Sequence, residues 1–448
     1  MIREILLCLF CAGTLGVSRG NDEQSKELAC EDTGPDDIYL DLSDMELRRI
    51  RKRIVSSSKI KCLNLAKNQI SSINSDAFDG LTGLHYLNLA GNPILPNEFP
   101  QIKLSKLKIL VLDEQPTYDS SDHQFLPFFM PELEKLSLKN YGGSYRHGVL
   151  KWLKTFEMPN LTHLYLSGNT RLNREVSSIL ANINNLTHLY LDGTAIDYFD
   201  GASLPNLRYL SMDGNGIRSV GADRFNSPDD ATIPRDMDNL EYLSLANNAI
   251  TVIGSNFVKT SHNLQVLNLA ANAIDYFPWE ASVKFVNLRN LTLDNNKLSS
   301  VPRICELKAL RSLSLNFNNI VSVNGQSFCN MQNLSAIYLR SNGLSNIDDE
   351  SFGHLPALLV LDLSYNNIVS LPEKWIYPKN FIAELHLDGN KFVDIDSMSL
   401  KGVSGLQCLS FGHNPLKMVT ILSLMDLPNS TRFDVSREPA SDPFPFYG

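Results

Sequence analysis

The stretch Leu240–Asn248, Leu-Glu-Tyr-Leu-Ser-Leu-Ala-Asn-Asn, constrains this chain more than any other feature. Read as L-x-x-L-x-L-x-x-N, its alternation around Leu243 and Leu245 predicts a short strand with one buried face. Asn248 stands where the chain must turn away, and a buried asparagine there can bond backbone groups otherwise left unsatisfied. One such unit cannot bury its own leucines, but stacked copies can. Leu264–Asn272, Leu288–Asn296, Leu310–Asn318, Leu334–Asn342 and Leu358–Asn366 repeat the pattern. The spacing is about 24 residues, and roughly fifteen copies run from Ile60–Asn68 to Leu406–Asn414.

The repeats decide how the totals are read. A chain of 448 residues, 43% hydrophobic and 20% charged, is globular in composition. Length alone suggests about three domains, whereas a solenoid grows by adding units around no single core. The net charge of −9 gives no overall basic field for nucleic acid or anionic lipid. No phosphate-loop, dinucleotide, zinc-finger or kinase signature is present, and no cofactor is implied.

Residues 1–20 read as a signal peptide: Arg3 precedes the apolar run Ile5–Leu15, too short to span a membrane, and Ser18 and Gly20 suit cleavage before Asn21. The alternative is an uncleaved anchor or a buried helix. Residues 21–59 form an N-terminal cap, 60–428 the repeats and 429–448 a tail. Irregularities interrupt the series at Asn140–Asn160 and at Phe225–Asp238, a polar, proline-containing stretch expected to protrude. Gln115 and Thr194 stand where Asn is usual. Phe257, Phe328 and Phe352 are expected to pack in the convex core. After the repeats no apolar segment of about 20 residues follows, which favours a soluble secreted product unless the sequence is a truncated form of a longer chain.

The repeats resemble the extracellular leucine-rich-repeat family: Toll-like receptor ectodomains, chaoptin-like adhesion proteins and insect leucine-rich-repeat immune proteins. The resemblance covers Ile60 to about Pro428. It implies an α/β solenoid, a horseshoe with a concave parallel β-sheet and a convex side of loops, 3-10 turns and short helices. It also implies non-catalytic binding of protein, glycan or lipid. Two features depart from the family: a cysteine-rich C-terminal cap and a coiled coil are both missing.

Five cysteines follow the leader. A Cys30–Cys62 disulfide would pin the cap in an oxidising compartment. Cys305 and Cys329 hold the same position one repeat apart, within reach of a bridge; two buried thiols are the alternative. Cys408 is left over, as an intermolecular disulfide that would make a dimer or as a thiol covered by the C-terminal segment. Asn-x-Ser/Thr acceptors for glycans occur at Asn160, Asn185, Asn290, Asn333 and Asn429.

In each strand the residues flanking the second leucine point out of the sheet. His163 and Tyr165, His188 and Tyr190, Tyr209 and Tyr242 would then line neighbouring strands as a ligand-binding face, with Ile109 and Val111 as an exposed apolar contact. Such residues also simply fit strands. A metal at His163 and His188 would need a third ligand, so none is assigned. Two adjacent imidazoles beside Lys135 would resist joint protonation, and acidification would charge the patch. No nucleophile and base share a motif, so no catalytic residue is assigned. The function expected is a secreted recognition module for an extracellular protein, in innate immunity or adhesion. Alternatives are a secreted inhibitor or carrier of a protease or growth factor, and a truncated receptor ectodomain.

Overall fold

The computed structural model describes residues 26–434, apart from a few single positions and residues 31–33, 95–103, 116–127, 142–148, 150–152, 173–175, 200–203, 222–231, 234–237, 255–256, 258–261, 279–284, 378–379, 418–423, 425–426 and 429–430. The leader 1–20, the tail from Ala440 onward and Asn429 lie outside the described residues, as does most of the Phe225–Asp238 stretch.

Two compact units divide the chain, one comprising Ser25–Ala249 and the other Ile250–Val258 with His262–Gly448. In the first, nine parallel strands follow one another: β1 (Ile38–Asp41), β2 (Ile60–Asn64), β3 (Tyr86–Asn88), β4 (Ile109–Val111), β5 (Lys135–Ser137), β6 (His163–Tyr165), β7 (His188–Tyr190), β8 (Tyr209–Ser211) and β9 (Tyr242–Ser244). In the second, eight do so: β10 (Val266–Asn268), β11 (Asn290–Thr292), β12 (Ser312–Ser314), β13 (Ala336–Tyr338), β14 (Val360–Asp362), β15 (Glu384–His386), β16 (Cys408–Ser410) and β17 (Arg432–Asp434). Strands therefore begin one turn before Ile60 and end one turn after Asn414. The fold is the expected parallel-sheet solenoid.

From β3 to β16 each strand is short because only three residues separate the two turns that bend the chain. Its central leucine or isoleucine is fully buried, as Leu189, Leu243 and Leu313 are. The asparagine closing each turn completes the ladder. Asn296 Nδ2 donates to Leu269 and Leu293 carbonyls at 2.9 and 3.1 Å, and its Oδ1 accepts from the Ile274 amide at 3.0 Å. It thus satisfies backbone groups of its own turn and the one before. Where Asn is replaced, the bonds survive in altered form. Gln115 Nε2 reaches the Leu89 carbonyl at 3.1 Å, and Thr194 Oγ1 donates to Leu191 O at 2.8 Å while Asn215 Oδ1 takes the Thr194 amide at 2.9 Å. The residue before the ladder position is left-handed, as at Gly193 (φ 60°) and Gly214 (φ 66°), where glycine carries no steric cost.

The convex side is irregular, with the short helix α1 (Val176–Leu180) in the first unit and 3-10 turns at Asp396–Met398 and Leu400–Gly402 in the second. Phe257, Phe328 and Phe352 are buried there. Phe328 and Phe352 have ring centroids 5.5 Å apart, and Trp375 meets Phe352 edge-on at 6.0 Å. Cys305 and Cys329 form a disulfide with Cα atoms 5.0 Å apart. Of the second irregular stretch, Thr232–Ile233 pairs with Ser219–Val220. Among the described residues no helix is long and apolar enough to cross a membrane.

Candidate functional site

The concave side of the first unit carries the aromatic row that the repeat pattern places there. Pairing sets His163 against His188, Tyr165 against Tyr190, His188 against Tyr209, and Tyr209 against Tyr242. Because parallel strands repeat at about 4.8 Å, flat side chains in register stack. His163 and His188 lie 4.0 Å apart between centroids, Tyr165 and Tyr190 4.5 Å, and Tyr209 and Tyr242 4.0 Å, all near parallel. Tyr190 and Tyr209 join the two rows at 4.9 Å. All six sequence-predicted residues thus form one continuous surface.

Part of that surface is occupied by the chain itself. The segment Lys26–Cys30 crosses the concave face, held by the Cys30–Cys62 disulfide (Cα–Cα 6.1 Å). Leu28, 9% exposed, packs with Tyr86, Ile109, Val111, Tyr165 and Tyr190. Glu27 Oε2 accepts from Tyr165 Oη at 2.6 Å and from Tyr190 Oη at 3.0 Å, while Lys135 Nζ donates to the Glu27 carbonyl at 2.9 Å. Lys139 Nζ sits 5.2 Å from the Tyr165 ring centroid. Tyr165 and Tyr190 are consequently 0% and 1% exposed. The expectation of an exposed apolar contact at Ile109 and Val111 is corrected for the same reason: both are buried, at 3% and 6%. His163, His188, Tyr209 and Tyr242 remain half-buried and reachable.

The histidines are set by the threonines before them. Thr162 Oγ1 is 2.8 Å from His163 Nδ1 and donates to the Glu134 carbonyl at 3.1 Å; Thr187 does the same for His188 and the Thr162 carbonyl, at 2.8 and 3.2 Å. With each hydroxyl proton on a carbonyl, Nδ1 is assigned as the donor and Nε2 keeps its lone pair. Burial, followed by the neighbouring His188, pulls His163 down to about 4, and burial lowers His188 as well. Mild acidification therefore leaves His163 neutral, against the expectation that it would charge the patch. Among the described residues no three His, Cys, Asp or Glu side chains group as metal ligands.

One recurring element escaped the sequence reading. An aspartate two residues before the ladder position accepts from a serine on the next strand and from a backbone amide beyond it. Asp213 takes Ser244 Oγ at 2.6 Å and the Ala246 amide at 2.7 Å; Asp113, Asp192, Asp294 and Asp388 behave alike. Burial, with Asp192 adding to it, pushes Asp213 up to about 7, and burial raises Asp294 to about 6. The signal was in the sequence: Asp at one fixed position with Ser at another in the following repeat.

The fold also brings Ser410, His386 and Asp388 together, at the second unit's strands. Ser410 Oγ is 2.8 Å from His386 Nδ1 but gives its proton to Asp388, and the serine is only 5% exposed. A hydroxyl donated to a carboxylate and shut from solvent is poorly placed to attack a substrate. Cys408 is buried at 3%, on β16, with β17 alongside. That agrees with the covered thiol and opposes the intermolecular disulfide, and with it the dimer that Cys408 would make.

Three candidate glycan acceptors have a structural use. Asn160, Asn185 and Asn333 each donate Nδ2 to a carbonyl of the preceding turn, those of Pro131, Pro159 and Lys308, at 2.7–2.8 Å. Asn206, Asn239 and Asn287 make the same bond with no acceptor motif. Asn290 is exposed on β11.

A family model described as leucine rich repeat matches residues 39–94, 238–298 and 332–378. A stretch of 48 residues is 46% identical to decorin of Rattus norvegicus; it covers 11% of this chain and only 14% of decorin's length. Among solved structures, Toll in the glycosylated Drosophila Toll–Spatzle complex aligns at TM-score 0.61 and 16% identity, over 84% of this chain and 54% of that one. The mouse RP105/MD-1 complex aligns at 0.59 and 18% identity, over 89% and 74%. These likenesses show the shared fold.

Proposed function

This chain is a leucine-rich-repeat protein, and from that premise we propose that it is a secreted, non-catalytic recognition module that binds a protein ligand across the concave face of the Ser25–Ala249 unit. The observation that carries the reading is the stacked row His163, His188, Tyr209 and Tyr242, still reachable on a rigid sheet. Tyrosines give large contact area at small entropy cost, which suits recognition. The two disulfides fit an oxidising, extracellular setting. Toll is seen in complex with Spatzle, and RP105 with MD-1. The Toll complex is described as a hub in development and innate immunity, which favours an immune role here over adhesion. Occupied glycans at Asn160, Asn185, Asn290, Asn333 and Asn429 belong to the same reading.

The test is affinity capture from extracellular fluid with the mature chain and its Tyr209→Ala/Tyr242→Ala variant, both confirmed folded by circular dichroism. A partner held about tenfold more weakly by the variant supports the reading. A partner captured equally by both would move recognition away from this face and overturn it.

A further inference from the structure

Resting on that reading, we infer that the buried part of the concave face is a peptide-binding groove, that Glu27-Leu28 is its resident occupant, and that the ligand presents an acidic side chain followed by an apolar one in the same place. The occupant shows what the groove selects. Its acidic end faces two phenols, Tyr165 and Tyr190, which both direct their hydrogens to Glu27 Oε2. Its apolar side chain, Leu28, is buried in one cluster with Tyr86, Ile109, Val111 and the two tyrosine rings. Between them, Lys135 Nζ binds the backbone carbonyl, a group that any peptide offers. The three contacts fall on strands β3 to β7, one face of a single unit.

The geometry also points to exchange rather than permanent closure. The described segment on the face is five residues, Lys26–Cys30, and two of them, Lys26 and Ala29, are exposed. The disulfide Cys30–Cys62 and the backbone running on to β1 both hold it at its Cys30 end, and at Glu27 and Leu28 the described contacts with the sheet are non-covalent. The row continues past it through Tyr209 and Tyr242, so a ligand on the open rings is already beside the occupied ones. A tethered segment competes at an effective concentration on the order of millimolar. For it to stay seated, its own affinity must be about 1 mM or better, and a free ligand of similar chemistry must exceed that to displace it.

The probe is a fluorescein-labelled peptide of residues 25–30 carrying Cys30→Ser, titrated into the full mature chain. The Glu27→Gln/Leu28→Ala variant keeps the disulfide but unseats the occupant. It should bind the peptide saturably below about 1 mM, and wild type about tenfold more weakly. A peptide with Glu27→Gln should bind the unseated chain about tenfold more weakly, and adding Tyr165→Phe/Tyr190→Phe to that chain should abolish the preference. Should the unseated variant not fold, hydrogen exchange on wild type decides: excess peptide must speed exchange of the Lys26–Ala29 amides. Equal binding by wild type and variant, no saturable binding, an undiminished acid preference in the double Phe variant, or unchanged exchange would overturn the inference. Those failures leave the Tyr209- and Tyr242-dependent capture untouched, whereas loss of that capture refutes the broader reading whatever the peptide does.

Discussion

At the residue scale, the chain's buried polar groups divide into those that secure the fold and those that tax it with a charge. Asp213 belongs to the second kind. Its folded value is about 7 against an ordinary 3.8, so between those limits the folded state holds the extra proton. The contribution of this group to stability is fully present below about pH 4 and is lost as pH rises through 7. Asp213→Asn keeps an oxygen for Ser244 and Ala246 and removes the charge. We expect about 2 kcal/mol more stability at pH 8 and little change at pH 4, read by urea denaturation at both. Parallel pH slopes for the two proteins would refute the assignment. The opposite shift at His163, to about 4, predicts that its ring signals stay unmoved from pH 7 to 5 in a nuclear magnetic resonance titration. A midpoint near 6 would mean the ring is more solvated than its stacking implies. Asn296 secures the fold: Asn296→Ala leaves buried amides and carbonyls unmatched, at roughly 1–3 kcal/mol each, and the urea midpoint should fall accordingly.

At the element scale, what could be foreseen depended on whether an interaction lay inside the repeat. Leu243, Asn248 and the outward rings were legible because strand alternation and a fixed turn position dictate them. So was Cys305–Cys329, since equal positions one turn apart are neighbours. The Asp–Ser bonds recur too, but span two repeats and show only when consecutive repeats are aligned. The occupied groove was half legible. Cys62 stands at an outward position of β2, so its bridge must bring Cys30 onto the concave face; that Glu27 and Leu28 would then lie upon Tyr165 and Tyr190 depends on three-dimensional proximity no spacing reveals. The bridge predicts its own loss: Cys30→Ala/Cys62→Ala should cost about 4 kcal/mol by loop entropy for a separation of 32 residues. It should also open Tyr165 and Tyr190 to acetylation, followed by mass spectrometry. Unchanged labelling of both would show that the segment holds without its link.

At the scale of the whole molecule, each unit is a stack of turns in which every strand leans on its neighbours. Stability should therefore be local. Leu243→Ala, a fully buried change, is expected to cost about 2–5 kcal/mol and to raise hydrogen exchange first in β8 and β9; a uniform rise through β1 to β9 would count against nearest-neighbour stacking. The asparagine ladder has a further consequence, for heredity. Each ladder asparagine such as Asn296 bonds its own turn and the one before, so a duplication or loss of a full turn preserves the pattern, and a partial one leaves two turns mismatched. Between ladders the rule relaxes: Tyr209 meets Tyr242 in register although that turn is longer than its neighbours. Convex loops can therefore lengthen with the ladder intact, whereas strands can be gained or lost only as whole turns.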